Sequence, residues 1–205
     1  MKRFLLLLVL ALLASCGGPR HDPIPRGATV LVLGDSVSYG TGADDGEDYP
    51  SVLGRLTGWK VINAGIPGDT SSGGLQRLPD LLEEHAPKLV LVELGGNDFL
   101  RRMPSGQTTS NLTTILAQIK ARNIAAVLVA VPQPNLFGAA LRSLSDDPIY
   151  ADVAEQTGTP LVENVLSEVL SKNELKSDPI HPNADGYRKV AEGLAEALSE
   201  LGYLQ

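Results

Sequence analysis

The sequence predicts an α/β domain in which helices cover both faces of a central five-stranded parallel sheet, the three-layer α/β/α flavodoxin-like arrangement. Three observations point there. Short continuous runs of Val, Leu, Ile and Ala, rather than alternating ones, mark strands buried on both faces. Segments of helical period separate these runs, the signature of strand–helix alternation. Aromatic residues make up only 4% of a chain that is 43% hydrophobic, so small and branched aliphatic side chains must build the core.

The elements follow in order. Lys2 and Arg3 precede an apolar run over residues 4–13, and Ala14, Ser15, Cys16 and Gly17 come next. A basic start, a short apolar stretch and small residues describe a secretory leader over residues 1–15. Ten helical residues span only ~15 Å, about half of a ~30 Å hydrocarbon core, so the run is too short for a lasting span. Cys16 is the sole cysteine. Its setting resembles the lipobox of bacterial lipoproteins, which implies a lipidated N-terminus; an ordinary leader that happens to carry a cysteine is the alternative. Several acyl chains would anchor stably where one would not. Residues 16–26 then read as a lipidated cysteine and a flexible Pro- and Gly-rich tether. The domain proper is expected over residues 27–205.

Within it, strands are expected at 29–33, 60–63, 88–94, 125–131 and 160–162. Helices are expected at 49–57, 74–84, 108–122, 148–157 and 183–201. In the last, Val190, Leu194, Ala197, Leu198 and Leu201 recur at helical spacing. The length suits one domain with a sizeable core. The formal charge of −7 becomes −9 once the leader carrying Lys2 and Arg3 is removed. No basic face is left to neutralise phosphates, which excludes a nucleic-acid binder.

In doubly wound sheets, ligands bind beyond the carboxyl ends of the strands. The polar motifs fall at those ends. The first strand runs into Gly34-Asp35-Ser36 and the second into Asn63 through Thr70, with Gly68-Asp69-Thr70 at its close. The third ends in Gly95-Gly96-Asn97-Asp98, and Asp178-Pro179-Ile180-His181-Pro182 follows the fifth.

These four blocks, in this order, resemble the SGNH hydrolases of the GDSL esterase/lipase family, and within it the bacterial thioesterase I/lysophospholipase and arylesterase branch. The similarity runs over about residues 28–200. It implies Ser36 as nucleophile, Asp178 and His181 as its partners, and an oxyanion hole from Ser36, Gly68 and Asn97. Val37 stands where the family name implies leucine, an apolar exchange of little consequence.

The chemistry of the residues agrees. A serine hydroxyl attacks only when a base takes its proton. Of three histidines, His21 lies in the tether and His85 at a helix end, where solvation is expected, leaving His181 as the base. Asp178, three residues earlier in a Pro-flanked loop, can fold back to hold the imidazole. Taken alone, Ser36 would read as a helix cap after a strand, and the glycine blocks as turns. The motif is not Gly-x-Ser-x-Gly, so an α/β-hydrolase nucleophile elbow is not indicated. An oxyanion hole needs donors aimed at developing charge, which two backbone N–H groups and the Asn97 amide would supply. Asp98 is expected to hydrogen-bond locally and set the Asn97 loop.

No cofactor fingerprint and no metal-ligand set is expected. Leu136 and Phe137 are candidates for an acyl pocket, or for simple packing beneath their loop. The expected function is a serine esterase acting on short-chain or aryl esters, with acyl thioesters or lysophospholipids as further substrates. A carbohydrate O-deacetylase using the same triad, or a non-catalytic ligand-binding lipoprotein, is the alternative. The expected setting is the periplasmic or cell-surface side, as a monomer held to a membrane through Cys16 and close to lipid-derived substrates.

Overall fold

The computed structural model describes residues 21–133 and 143–204. Five strands, β1 (Thr29–Gly34), β2 (Lys60–Gly65), β3 (Leu89–Glu93), β4 (Ala125–Val129) and β5 (Leu161–Val162), pair in the order β2-β1-β3-β4-β5. Every pairing is parallel. The predicted α/β class is therefore observed, with the strand order of the flavodoxin type. Residues 30–33 of β1 and 89–92 of β3 are fully buried, which is why their sequences run apolar without alternation.

Helices α1 (Ser36–Tyr39), α2 (Tyr49–Thr57), α3 (Ser71–His85), α4 (Gly96–Leu100), α5 (Ser105–Ala121), α6 (Ile149–Thr157), α7 (Val165–Leu170) and α8 (Ala184–Glu200) complete the layers. On one side α2 and α7 pack against α8; on the other α3 packs on α5, and α5 on α6. Tyr187, Val190, Ala191, Leu194 and Leu198 form the buried stripe of α8. Burying side chains of this size contributes roughly 1.5–3 kcal/mol each.

Local chemistry explains the boundaries. Asp48 caps α2 by accepting the Ser51 N–H at 2.9 Å, and Gly58 ends it in the left-handed conformation. The expected helix at 74–84 begins three residues earlier, because Thr70 caps it by accepting the Gly73 N–H. Strand β4 stops at Val129, two residues before the expected end. The chain turns there into an isolated antiparallel bridge between Pro132 and Asp146. Helix α7 was not expected: six residues are too few to show a period.

One boundary needs correction. Residues 21–26, expected as part of a free tether, are seated on the domain. The Ile24 N–H donates to the Tyr203 carbonyl at 2.9 Å, and the Trp59 indole donates to the Ile24 carbonyl at 3.1 Å. Ile24 packs against the core, so apolar burial accompanies these bonds and the segment behaves as part of the domain. Residues 1–20, including the expected leader and Cys16, lie outside the described residues, as do Leu136 and Phe137.

Candidate active site

The register levels the strand ends: Gly34 stands beside Gly65 on one side and Glu93 on the other. Three loops therefore start from one line, and the fourth comes to meet them. Ser36 opens α1, a single turn capped by Asp35, whose Oδ1 accepts the Val37 N–H at 2.9 Å. Side chains of any size are excluded at residue 34, where a Cβ would lie 1.9 Å from Ser38 Oγ. Glycine there lets the helix start directly at the strand end.

The last loop is folded by its own aspartate. Asp178 Oδ1 accepts the N–H groups of Ile180 and His181, each at 2.9 Å, and its Oδ2 lies 2.7 Å from His181 Nδ1. The loop closes through the Ser177 N–H donating to the His181 carbonyl at 3.0 Å, next to a Lys176–Pro182 bridge. Asn183 then caps α8. The result sets His181 Nε2 at 2.9 Å from Ser36 Oγ. Hydroxyl, imidazole and carboxylate thus form one hydrogen-bonded line across 145 residues of sequence. With Nδ1–H donated to Asp178, Nε2 is left as the acceptor facing the hydroxyl. Burial pushes the Asp178 carboxyl up, but the hydrogen bonds from His181 and the two backbone N–H groups outweigh it. The net effect holds Asp178 below the ordinary carboxylate value, in the charged form that an imidazolium requires.

Opposite this line stands Asn97, in the first turn of α4. Its Nδ2 donates to Asp35 Oδ2 at 2.9 Å. An amide NH₂ has two hydrogens, so the second remains for a ligand. Gly68 holds φ at +80°, a left-handed conformation that side-chain-bearing residues rarely adopt. The backbone conformation, not crowding by the protein, calls for glycine here. An added Cβ would meet only Arg101, 3.5 Å away. The Gly68 carbonyl is clamped by the Arg101 guanidinium at 2.7 Å. Among the described residues, neither the Ser36 nor the Gly68 backbone N–H donates to a protein acceptor.

Asp98 departs from its expected local role. It is fully buried and accepts the Ser71 N–H at 2.8 Å, the Ser71 hydroxyl at 2.5 Å and the Thr108 hydroxyl at 3.2 Å. It therefore ties the start of α3 to α4, holding the Gly68 and Asn97 loops together. His85 is half-buried at the end of α3 rather than freely solvated, and it lies at the other edge of the sheet.

Several residues escaped sequence reasoning. Asp35 is nearly buried, and that burial pushes its carboxyl up to about 6, against the pull of the Val37 N–H, Asn97 and His181. Glu93 lies behind it, fully buried. Burial and the Asp35 charge push it well above the ordinary range. The Ser38 hydroxyl donates to Glu93 Oε2 at 2.6 Å and lies 2.6 Å from the Tyr49 hydroxyl, while Glu93 Oε1 has no hydrogen-bond partner among the described residues. Arg77 joins the loops, donating to Asp69 at 2.8 Å and to the Ala64 and Gly34 carbonyls. A polar residue at a strand end carries no sequence mark that it will be buried.

A cavity of about 250 Å³ opens beside Ser36 and His181. Leu100, Val131, Leu144, Leu166, Leu170 and Ile180 supply its apolar wall. Leu166 and Leu170 come to this wall from α7, which is too short to be marked by a period in the sequence.

Comparisons with known proteins place the chain in a family. The GDSL-like Lipase/Acylhydrolase family model matches residues 32–189. Thioesterase 1/protease 1/lysophospholipase L1 of Escherichia coli (strain K12) is 39% identical over 176 residues, 84% of each chain. The arylesterase of Vibrio mimicus is 37% identical over 82% of this chain and 87% of its own. A crystal structure of TesA superposes with a TM-score of 0.76 at 34% identity, covering 84% of this chain and 99% of that one. A family model matched over residues 32–189, relatives 37–39% identical over more than four fifths of the chain and a superposable fold lead to one conclusion: this chain belongs to the GDSL-like lipase/acylhydrolase family.

Proposed function

We propose that the protein is a serine esterase in which Ser36 is the nucleophile, His181 the general base and acid, and Asp178 the group that orients and stabilises the imidazole. The Asp178–His181–Ser36 line, with contacts of 2.7 and 2.9 Å, carries this reading. Ser36 Oγ adds to the ester carbonyl carbon as its proton passes to His181 Nε2. The oxyanion so formed is met by the Ser36 and Gly68 N–H groups and the free Asn97 hydrogen. Collapse breaks the bond to the leaving alcohol or thiol, which takes the proton from His181. Water then attacks the acyl-enzyme with His181 again as base, releasing the acid and restoring Ser36.

The apolar cavity supports an acyl group with few polar features. At about 250 Å³ it falls below the ~300 Å³ at which drug-sized pockets begin. That favours short aliphatic or single-ring acyl groups. Leu166 and Leu170 take the acyl-wall role in this reading. All three groups of the line come from one chain, which supports action as a monomer. The leader and Cys16 support export and anchoring as a lipoprotein on the periplasmic or cell-surface side.

A fluorophosphonate that reacts with activated serines tests the centre of this reading. Labelling at Ser36, abolished in Ser36→Ala, is the expected result. Absence of labelling in folded, soluble protein would overturn it. Mass analysis of the N-terminal peptide from membranes tests the anchor, which an unmodified Cys16 would refute.

A further inference from the structure

The chain leading from Cys16 joins the domain at one particular edge. The His21 N–H donates to the Leu201 carbonyl at 3.1 Å, and the His21 ring stacks on Tyr203 with centroids 4.7 Å apart and planes 6° from parallel. Ile24 is fixed to Tyr203 and Trp59 by the hydrogen bonds described above. Leu201 and Tyr203 follow the C-terminal end of α8, and Trp59 precedes β2. The same segment borders a depression that includes Lys88, Ala125 and Pro160, where β3, β4 and β5 begin. The seat thus lies along the amino-terminal edge of the sheet. Ser36, Gly68 and Asn97 all follow carboxyl ends of strands, at the opposite edge, and His181 joins them there.

Two lengths decide what this means for an anchored molecule. From Thr29 to Gly34, β1 spans about 17 Å, and the loops that carry Ser36, Gly68 and Asn97 add to that distance. Five peptide units join Cys16 to His21. Fully extended, they reach at most ~18 Å. The leash is too short to pass around the sheet and bring the upper rim onto the surface that holds Cys16. Only release of residues 21–26 would lengthen it enough, at the loss of the stacked ring, the Ile24 contacts and three hydrogen bonds.

We propose that the amino-terminal edge of the sheet is the membrane-facing surface of the anchored protein, and that the candidate active site opens away from the bilayer that holds it. This rests on the lipid-anchor reading above. Its consequence is a substrate class: esters that arrive through the aqueous phase, rather than lipids of the anchoring leaflet. An anchor seated this way would hold the site away from lipid-derived substrates of the same leaflet, in place of the closeness expected from the sequence.

The test uses full-length protein extracted from membranes and reconstituted in phosphatidylcholine vesicles containing a headgroup spin-labelled lipid. With Cys16 acylated, an introduced cysteine is the single free thiol. A fluorophore is attached at Lys88→Cys on the lower edge or at Asp45→Cys on the upper rim; neither residue belongs to the proposed machinery. Quenching stronger at position 88 by about twofold or more is expected, given at least ~17 Å of separation along the strands. Equal quenching, or stronger quenching at position 45, in protein that stays with the vesicles would overturn the orientation and leave the anchor standing. Protein that washes off with Cys16 unmodified would overturn the anchor and the orientation with it.

Discussion

Two aspartates flank Ser36, and their surroundings push them in opposite directions. Asp178 lies on the solvent side, its side chain 43% exposed, with three hydrogen bonds holding it charged. Asp35 lies on the floor side, only 3% exposed, and burial raises it to about 6. The exposed carboxylate faces a group that becomes positive in the proposed mechanism. The buried one faces an amide that must hold still. Environment, not residue type, divides the labour, as it does wherever two carboxyl groups of one site are driven apart.

The comparison breaks first at the hydroxyl that both sides serve. Ser36→Ala leaves the two hydrogen-bond systems in place and removes the atom between them; kcat is expected to fall on the order of 10⁶. Steady-state hydrolysis of an aryl ester checks it, and near-normal turnover would show that neither aspartate serves a nucleophile here.

The solvent side comes next. In Asp178→Asn, the new carbonyl oxygen can still accept the Ile180 and His181 N–H groups, so the loop should fold. The amide then presents N–H to His181 Nδ1 and forces the hydrogen onto Nε2, the tautomer that donates to Ser36 instead of accepting from it. A loss of about 10⁴ in kcat is expected. A loss below tenfold would mean that Asp178 only shapes the loop.

On the floor side, the direct donor is Asn97. Asn97→Ala should lower kcat by about 10²–10³, or roughly 3–4 kcal/mol of transition-state stabilisation, with KM little changed. An effect confined to KM would mean that Asn97 binds the ground state and takes no part in holding the oxyanion.

How far the sequence reached follows the same division. The strands were legible because two-sided burial leaves continuous aliphatic runs, and the start and end of α2 were legible because Asp48 and Gly58 mark them. Ser36, Gly68, Asn97, Asp178 and His181 were legible because each sits in a block of fixed spacing. Asp35 was printed in the first of these blocks, yet its role depends on burial by elements 60 residues away. Glu93, Tyr49 and Arg77 look like ordinary strand-end or helix residues until the fold stacks them. Helix α7 was missed for being short, and residues 21–26 were misread because Pro23 and Pro25 hide a hydrogen-bonded seat.

The smallest effect separates what Asp35 does for activity from what it does to stability. Asp35→Asn keeps an oxygen for one of the two N–H donors, so kcat should fall less than in Asn97→Ala, on the order of tenfold, through looser placement of the Asn97 amide. Its stability signature has the opposite sign. A carboxyl raised from 3.8 to about 6 on folding binds its proton more tightly in the native state than in the unfolded one. Its favourable contribution is complete below pH 4 and is lost as pH rises through the window from about 4 to about 6. For this shift the loss amounts to about 3 kcal/mol. Urea midpoints of wild type and Asp35→Asn, measured from pH 4 to pH 7, should therefore move apart in favour of the variant as pH rises, then run parallel. Curves that keep a constant separation over that window would mean that the native carboxyl titrates like a solvated one, and the floor of the site would lose its claim to hold a carboxylate against the cost of burying it.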